Sequence, residues 1–147
     1  MLTPAVGDHL VTAAYGGTPQ FGPSTSSPST IHIEPGPTIE RLRATPDVLW
    51  PPNHKMVTVT AAATVIDIGD PVPACGIRSI TSSEADNGLG DGDTPADVSF
   101  TGGLVASLRA ERAGSGPGRA YTLVVRCTDV FGNHTDGTLV VNVPHSR

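Results

Sequence analysis

The sequence predicts an all-β fold, an antiparallel β-sandwich built from short strands. The 147 residues include 17 glycines and 14 prolines beside many valines and threonines, and this mixture of turn formers and β-branched residues is typical of short strands. Apolar and polar residues alternate within the runs: in 121–129 (YTLVVRCTD), Tyr121, Leu123, Val125 and Cys127 share one face. No segment of useful length has helical periodicity. Sheets that each have one buried face and one solvent-exposed face are typical of a β-sandwich.

Glycine- and proline-rich turns separate the strand-like runs. Between them lie clear breaks such as GDPVPAC, NGLGDGDTP and AGSGPG. We expect strands over residues 9–15, 29–34, 55–67, 75–83, 96–100, 104–111, 119–129 and 137–143.

A change of composition near residues 35–46 divides the chain. This segment is bounded by prolines and predicts a linker or a first strand. Residues 47–147 hold six of the runs and both cysteines, which is the content of a complete domain, whereas residues 1–34 hold only two. A lone pair of strands is marginal in water. The two orphan strands are therefore expected to extend the same sandwich or to pair with a second copy in a homodimer.

Charge and cysteine content exclude several classes of protein. The net charge of −5 and the pI near 5.3 give no electrostatic case for nucleic acid or an anionic membrane. The longest apolar stretch, MVTVTAAATVI, is too short and polar to span a bilayer. Cys75 and Cys127 are spaced for neither a zinc knuckle nor a redox pair, so they predict one disulfide and an oxidising compartment, with two buried thiols as the alternative. A secretion signal is expected upstream of residues 1–10, which lack a basic start and an apolar core.

Several short signatures resemble bacterial immunoglobulin-like modules of secreted and cell-surface proteins. Residues 7–33 (GDHLVTAAYGG…STIHI) are similar to the last strands of one such repeat. The series LWPPNHK, GDGDT, LRAER, CTD and GN, in this order, is similar to a second module. The resemblance implies an immunoglobulin-like sandwich, a bridge between Cys75 and Cys127, an extracellular address and a spacing or adhesion role without a reaction. His134 and the TPAD stretch depart from the expected pattern.

The acidic loop is the strongest candidate site. Five carboxylates fall within residues 84–97 without a lysine or arginine among them, and glycines allow the loop to curl tightly. Calcium takes six to eight oxygen ligands in irregular geometry, so the loop predicts a calcium site, although its spacing is not that of an EF-hand. The alternative is a solvated turn paired with Arg109, Arg112 or Arg119. The expected ligands are Glu84, Asp86, Asn87, Asp91, Asp93 and Asp97.

A catalytic reading of the same region is the second hypothesis. A surface-bound calcium with an open position is a Lewis acid, and it would polarise a phosphotriester, another phosphoester or an activated ester. A carboxylate, or His54 or His134, both in turns after Asn, would orient water, and Arg109 would stabilise negative charge. Each histidine taken alone is more typical of a turn, and Arg109 and Arg119 more typical of partners for the acidic loop. His32 and Glu34 form a weak metal or base pair, and Trp50 is expected to plug one end of the core.

Overall fold

The computed structural model describes residues 5–86 and 95–146. Every regular element in these residues is a β-strand, which confirms the all-β prediction. The strands are β1 Gly7–Val11, β2 Ala14–Tyr15, β3 Ser24–Thr25, β4 Ser29–Ile33, β5 Thr38–Thr45, β6 Met56–Ile66, β7 Ala74–Ser82, β8 Val98–Phe100, β9 Val105–Arg109, β10 Gly118–Thr128 and β11 His134–Pro144. They form two compact units, which meet in sequence at Pro35 and Gly36.

The first unit is a long interrupted hairpin. Strands β1 and β4 pair antiparallel from Gly7↔Ile33 to Val11↔Ser29, and β2 pairs with β3 nearer the tip. The first orphan run, 9–15, is therefore split into β1 and β2, whereas the second, 29–34, forms β4 alone and β3 was not predicted. None of its described residues is buried, so this unit has no core of its own.

The second unit contains two antiparallel sheets. One has the strand order β5-β6-β9-β8 and the other the order β11-β10-β7. The sequence predicted either a linker or a first strand for residues 35–46. Strand β5 lies in this segment, and it pairs with the second half of β6.

Buried side chains from both sheets share a single core. Strand β10 alternates strictly, and its buried face carries the predicted Tyr121, Leu123, Val125 and Cys127, joined by Arg119. Strands β6 and β9 contribute Val59 and Leu108 from the other sheet, each fully buried. Burial of this apolar area is the main favourable term in folding of the unit.

Cys75 and Cys127 form a disulfide, as the sequence predicted. They lie opposite each other on β7 and β10, with their Cα atoms 4.0 Å apart. Because these strands are neighbours in one sheet, the disulfide cross-links two strands of that sheet and does not connect the two sheets.

After β5 the chain leaves its sheet and crosses to the other. Val48 forms a parallel bridge with Asn142 of β11, and the Leu49 N–H donates to the Asn142 carbonyl at 2.8 Å. Leu49 is buried in the core, whereas Trp50 stays 41% exposed and does not plug the end of the core as expected.

No helix in the described part of the chain is long and apolar enough to cross a membrane.

Candidate functional site

The main polar cluster lies where β9 ends and β10 begins. Asp97, just before β8, is buried between two guanidinium groups. Arg109 Nε donates to its Oδ1 at 2.9 Å, and Arg119 Nη1 donates to its Oδ2. Arg119 is itself buried, so this end of the core holds an ion pair out of water. The structure thus brings Arg109 and Arg119 onto a carboxylate of the acidic loop, which confirms the pairing expected for them.

All three nitrogen atoms of the Arg119 guanidinium group donate hydrogen bonds. Its Nε donates to Glu84 Oε2 at 3.2 Å, its Nη2 to the Ala85 carbonyl at 3.2 Å and its Nη1 to the Tyr121 hydroxyl at 3.1 Å. Burial works against the charge, but the hydrogen bonds to Tyr121 and Asp97 prevail and raise the pKa of Arg119. The guanidinium therefore stays charged although it is buried.

Arg109 ties three chain segments together. Besides Asp97, its guanidinium donates to the His54 carbonyl at 3.0 Å and to the Pro95 carbonyl at 2.9 Å. Because its donors already bind these acceptors, Arg109 holds the loops together and is less suited to bind a substrate anion.

Glu84 and Asp86 bind backbone amides of the same cluster. Glu84 Oε2 accepts from the Ala113 N–H at 2.7 Å. Asp86 accepts from the Asp97 N–H at 2.8 Å and from the Ala96 N–H at 3.3 Å. The bond from the Asp97 N–H is the main cause of the lowered pKa of Asp86. These two carboxylates therefore fix the positions of residues 96, 97 and 113.

The cluster bears directly on the calcium prediction. Three of the six expected ligands, Glu84, Asp86 and Asp97, are described, and two of them, Glu84 and Asp97, form ion pairs with arginine. Both oxygens of Asp97 accept from arginine, which suits an ion pair and not a calcium ligand. Within residues 5–86 and 95–146, no three acidic, histidine or cysteine side chains converge so as to hold a metal ion. Asn87, Asp91 and Asp93 lie outside the described residues.

Arg112 takes no part in this ion pairing. It donates to the carbonyls of Pro144 at 3.2 Å, Ala113 at 2.9 Å and His145 at 3.1 Å. It therefore fastens the end of β11 to the turn before β10.

His54 and Glu111 form a second pair at the same end. His54 Nδ1 lies 2.9 Å from Glu111 Oε2, and His54 has a left-handed backbone with φ of 64°. Glu111 is completely buried, and its Oε1 has no hydrogen-bond partner among the described residues. The imidazole is about half exposed, with 53% of its side-chain surface accessible. A buried carboxylate that fixes a partly exposed imidazole is an arrangement able to orient a general base.

His134 does not join His54. It pairs with Thr128 at the far end of β10, whereas His54 lies with Arg109 and Arg119 at the near end. The 11 residues of β10 separate the two ends by about 35 Å at a rise of about 3.3 Å per residue. The candidate catalytic set of His54, His134 and Arg109 is therefore not assembled in one place.

His32 lies in the first unit between two carboxylates. It contacts Asp8 across the strand pair and Glu34, the residue directly after β4, at 2.7 Å. The hydrogen bonds to Asp8 and then to Glu34 raise the pKa of His32.

Buried carboxylates also order the opposite end of the second unit. Asp129 accepts from the N–H groups of Phe131 at 2.9 Å and Asn133 at 2.8 Å, and Asp70 accepts from Val130 N–H at 3.0 Å. Burial alone raises the pKa of Asp129, but the bonds from Asn133 and its neighbours outweigh this and lower it. The loops after β6 and β10 are thereby joined.

Sequence reasoning missed the burial of Arg119 and Glu111. The period-two alternation of β10, continued back from Tyr121, places Arg119 on the buried face, and this signal was available. Nothing comparable marks Glu111, which lies two residues after the end of β9.

No protein-family model, curated protein or solved structure matches this chain.

Proposed function

We propose that the second unit is an immunoglobulin-like β-sandwich that serves as a spacer, adhesion or ligand-binding module of a secreted or cell-surface bacterial protein. The strand order carries the proposal. If β5 to β11 are lettered A to G, the sheets read A-B-E-D and C-F-G, which is the arrangement of the seven-stranded immunoglobulin constant-type domain.

Two local features support this assignment. The Tyr121 hydroxyl donates to the Arg109 carbonyl at 2.9 Å, and a tyrosine near the start of strand F that bonds back to the chain is typical of such domains. The parallel bridge of Val48 with Asn142 also joins the segment that follows the first strand to the last strand. The disulfide departs from the antibody pattern, because it joins strands C and F within one sheet instead of B and F.

The proposed extracellular address depends on the disulfide and on the resemblance to bacterial modules. A disulfide of this kind persists in oxidising compartments and is rare in reducing ones.

Calcium remains part of the proposal for the segment around Asp91 and Asp93, with Asn87 and Asp86 as further ligands. Asp97 and Glu84 are better explained as arginine partners. We expect calcium to raise the thermal unfolding temperature of a chelator-stripped sample and Asp91→Ala with Asp93→Ala to abolish the rise. An unchanged unfolding temperature over a full calcium titration would rule the site out.

A metal-dependent hydrolase is the second candidate, and only the His54–Glu111 pair favours it. Chromogenic phosphotriesters, phosphomonoesters and carboxyl esters would be assayed on a metal-stripped sample as calcium is added back. Turnover that follows calcium and is lost in His54→Asn would establish the hydrolase. Asn is the chosen replacement because it tolerates a left-handed backbone. Turnover that is absent at every calcium concentration leaves the module without a reaction.

We also propose that the first unit pairs with a second copy of itself. A two-stranded sheet without a buried residue is marginal in water, and its edges are suited to strand addition. Light scattering should then show a dimer whose dissociation depends on concentration, and a monomer at all concentrations would exclude it.

A further inference from the structure

A groove opens in the second unit because β5 covers only part of β6. Their pairing ends at Thr45↔Thr60, and the chain then departs toward β11. Residues 56–59 of β6 are paired with β9 alone. The gap between this half-strand and the departing segment is a cavity of about 480 Å³. This volume is in the range of small-molecule sites.

The walls of the groove are largely apolar. They include Leu49, Trp50, Pro51, Met56, Val57 and Ala110. Trp50 is 41% exposed and Met56 is 38% exposed. The chain has only one tryptophan and two methionines, and one of each lines this groove. An indole face and a thioether that stay accessible beside a cavity provide a platform for an aromatic or aliphatic group.

The rim of the groove carries one cation that has no partner in the described part of the chain. Lys55 is the only lysine of the chain, it lines the groove and it is exposed. Its backbone is fixed by the Ala110 N–H, which donates to the Lys55 carbonyl at 2.9 Å, and by its own N–H, which donates to Asn53 Oδ1 at 3.2 Å. Among the described residues its ammonium group has no hydrogen-bond or ion-pair partner, whereas Arg109, Arg112 and Arg126 each have one.

We propose that this groove binds a small amphiphilic anion, an aromatic or aliphatic carboxylate whose apolar part lies on Trp50 and Met56 and whose charge meets Lys55. The charge complementarity selects this ligand, since a neutral apolar molecule leaves the ammonium without a partner and a cation is repelled. The inference does not depend on the spacer role, because a spacer needs no such pocket.

The test uses the full chain labelled with ¹⁵N and titrated with 2-naphthoate. The single tryptophan gives one indole N–H resonance, so Trp50 reports on the groove directly. We expect this resonance and the amides of residues 53–58 to shift and saturate together. The neutral isostere 2-naphthamide should bind roughly tenfold more weakly, the loss of about one charge-assisted hydrogen bond.

Lys55→Gln should weaken naphthoate binding by a similar factor. The matched control is Arg41→Gln, which also removes an exposed positive charge but lies on β5 outside the groove. Naphthoate binding that is equal for both variants, or equal to that of the amide, would overturn the role of Lys55. An indole resonance that does not move at millimolar naphthoate would overturn the site.

Discussion

Asp97 shows how single residues determine the chemistry of the acidic loop. Burial of a carboxylate is costly unless it is paired, and here both oxygens accept from guanidinium groups. The pairing also fixes both arginines, so that they close the end of the core instead of facing solvent. The loop that the sequence marks as negatively charged is thus compensated, in its described part, from within the chain.

Asp97→Asn should lower the free energy of unfolding by about 3 kcal/mol, the lower end of the range for a broken buried ion pair, because Arg119 keeps Glu84 as a carboxylate partner. Urea unfolding would measure the change. The matched control is Asp136→Asn, which removes the partner of Arg126 from a half-exposed pair and should change stability much less. Equal losses for the two variants would show that the Asp97 cluster is not buried as described.

Gly76 is a second residue on which the packing depends. A Cβ at this position would lie 2.0 Å from the backbone oxygen of Gly102, whereas a Cβ on Gly103 would meet nothing within 4 Å. Gly76→Ala should therefore destabilise the second unit severely, and Gly103→Ala should change the urea midpoint little. A Gly76→Ala protein as stable as the parent would contradict the close approach of this loop to β7.

At the scale of elements, patterns along one strand were predictable and contacts between strands were not. The alternation from Tyr121 to Cys127 was sufficient to predict a buried face, and the predicted ends of β6, β7 and β10 lie within a residue of the observed ones. The pairing of Arg119 with Asp97 depends on which strand ends meet, which the local sequence does not encode. His54 and His134 illustrate the same limit, because both follow Asn, but His54 lies before β6 and His134 begins β11 at the opposite end of the sheets.

The β1–β4 pair should be sensitive to pH through His32. Hydrogen bonds to Asp8 and Glu34 raise its pKa above the ordinary 6.5, so their stabilising effect is fully present below that value and is lost as the pH rises through the raised pKa. A proton NMR titration should show His32 titrating above 6.5, with cross-strand contacts of β1 and β4 weakening over the same interval. The double variant Asp8→Asn with Glu34→Gln should return its pKa toward the ordinary value. A wild-type pKa at or below 6.5 would contradict the contacts of His32 with Asp8 and Glu34.

At the scale of the whole molecule, the two units differ in what holds them together. Every buried apolar residue of the described chain belongs to the second unit, which also contains the disulfide. The described part of the first unit has backbone pairing and a few side-chain hydrogen bonds, such as those of His32, but no buried residue. The sequence indicated this division through the prolines near residue 35, but the role of β5 as a full strand appeared only when its partner β6 was known.

A chain beginning at Gly36 should therefore fold cooperatively by itself. Its circular dichroism should show β structure that is lost in a single thermal transition, whereas a peptide of residues 5–35 should show no cooperative transition at low concentration. A disordered 36–147 chain under oxidising conditions would contradict the assignment of the core.

We propose that the second unit is an immunoglobulin-like module, and Asp97 of its acidic loop lies between Arg109 and Arg119. A crystal structure of the full chain, grown with millimolar calcium, tests it most directly. The account predicts the strand orders β5-β6-β9-β8 and β11-β10-β7, with Asp97 between Arg109 and Arg119. Different strand pairing, or a calcium ion bound to Asp97 with Arg119 displaced into solvent, would contradict it.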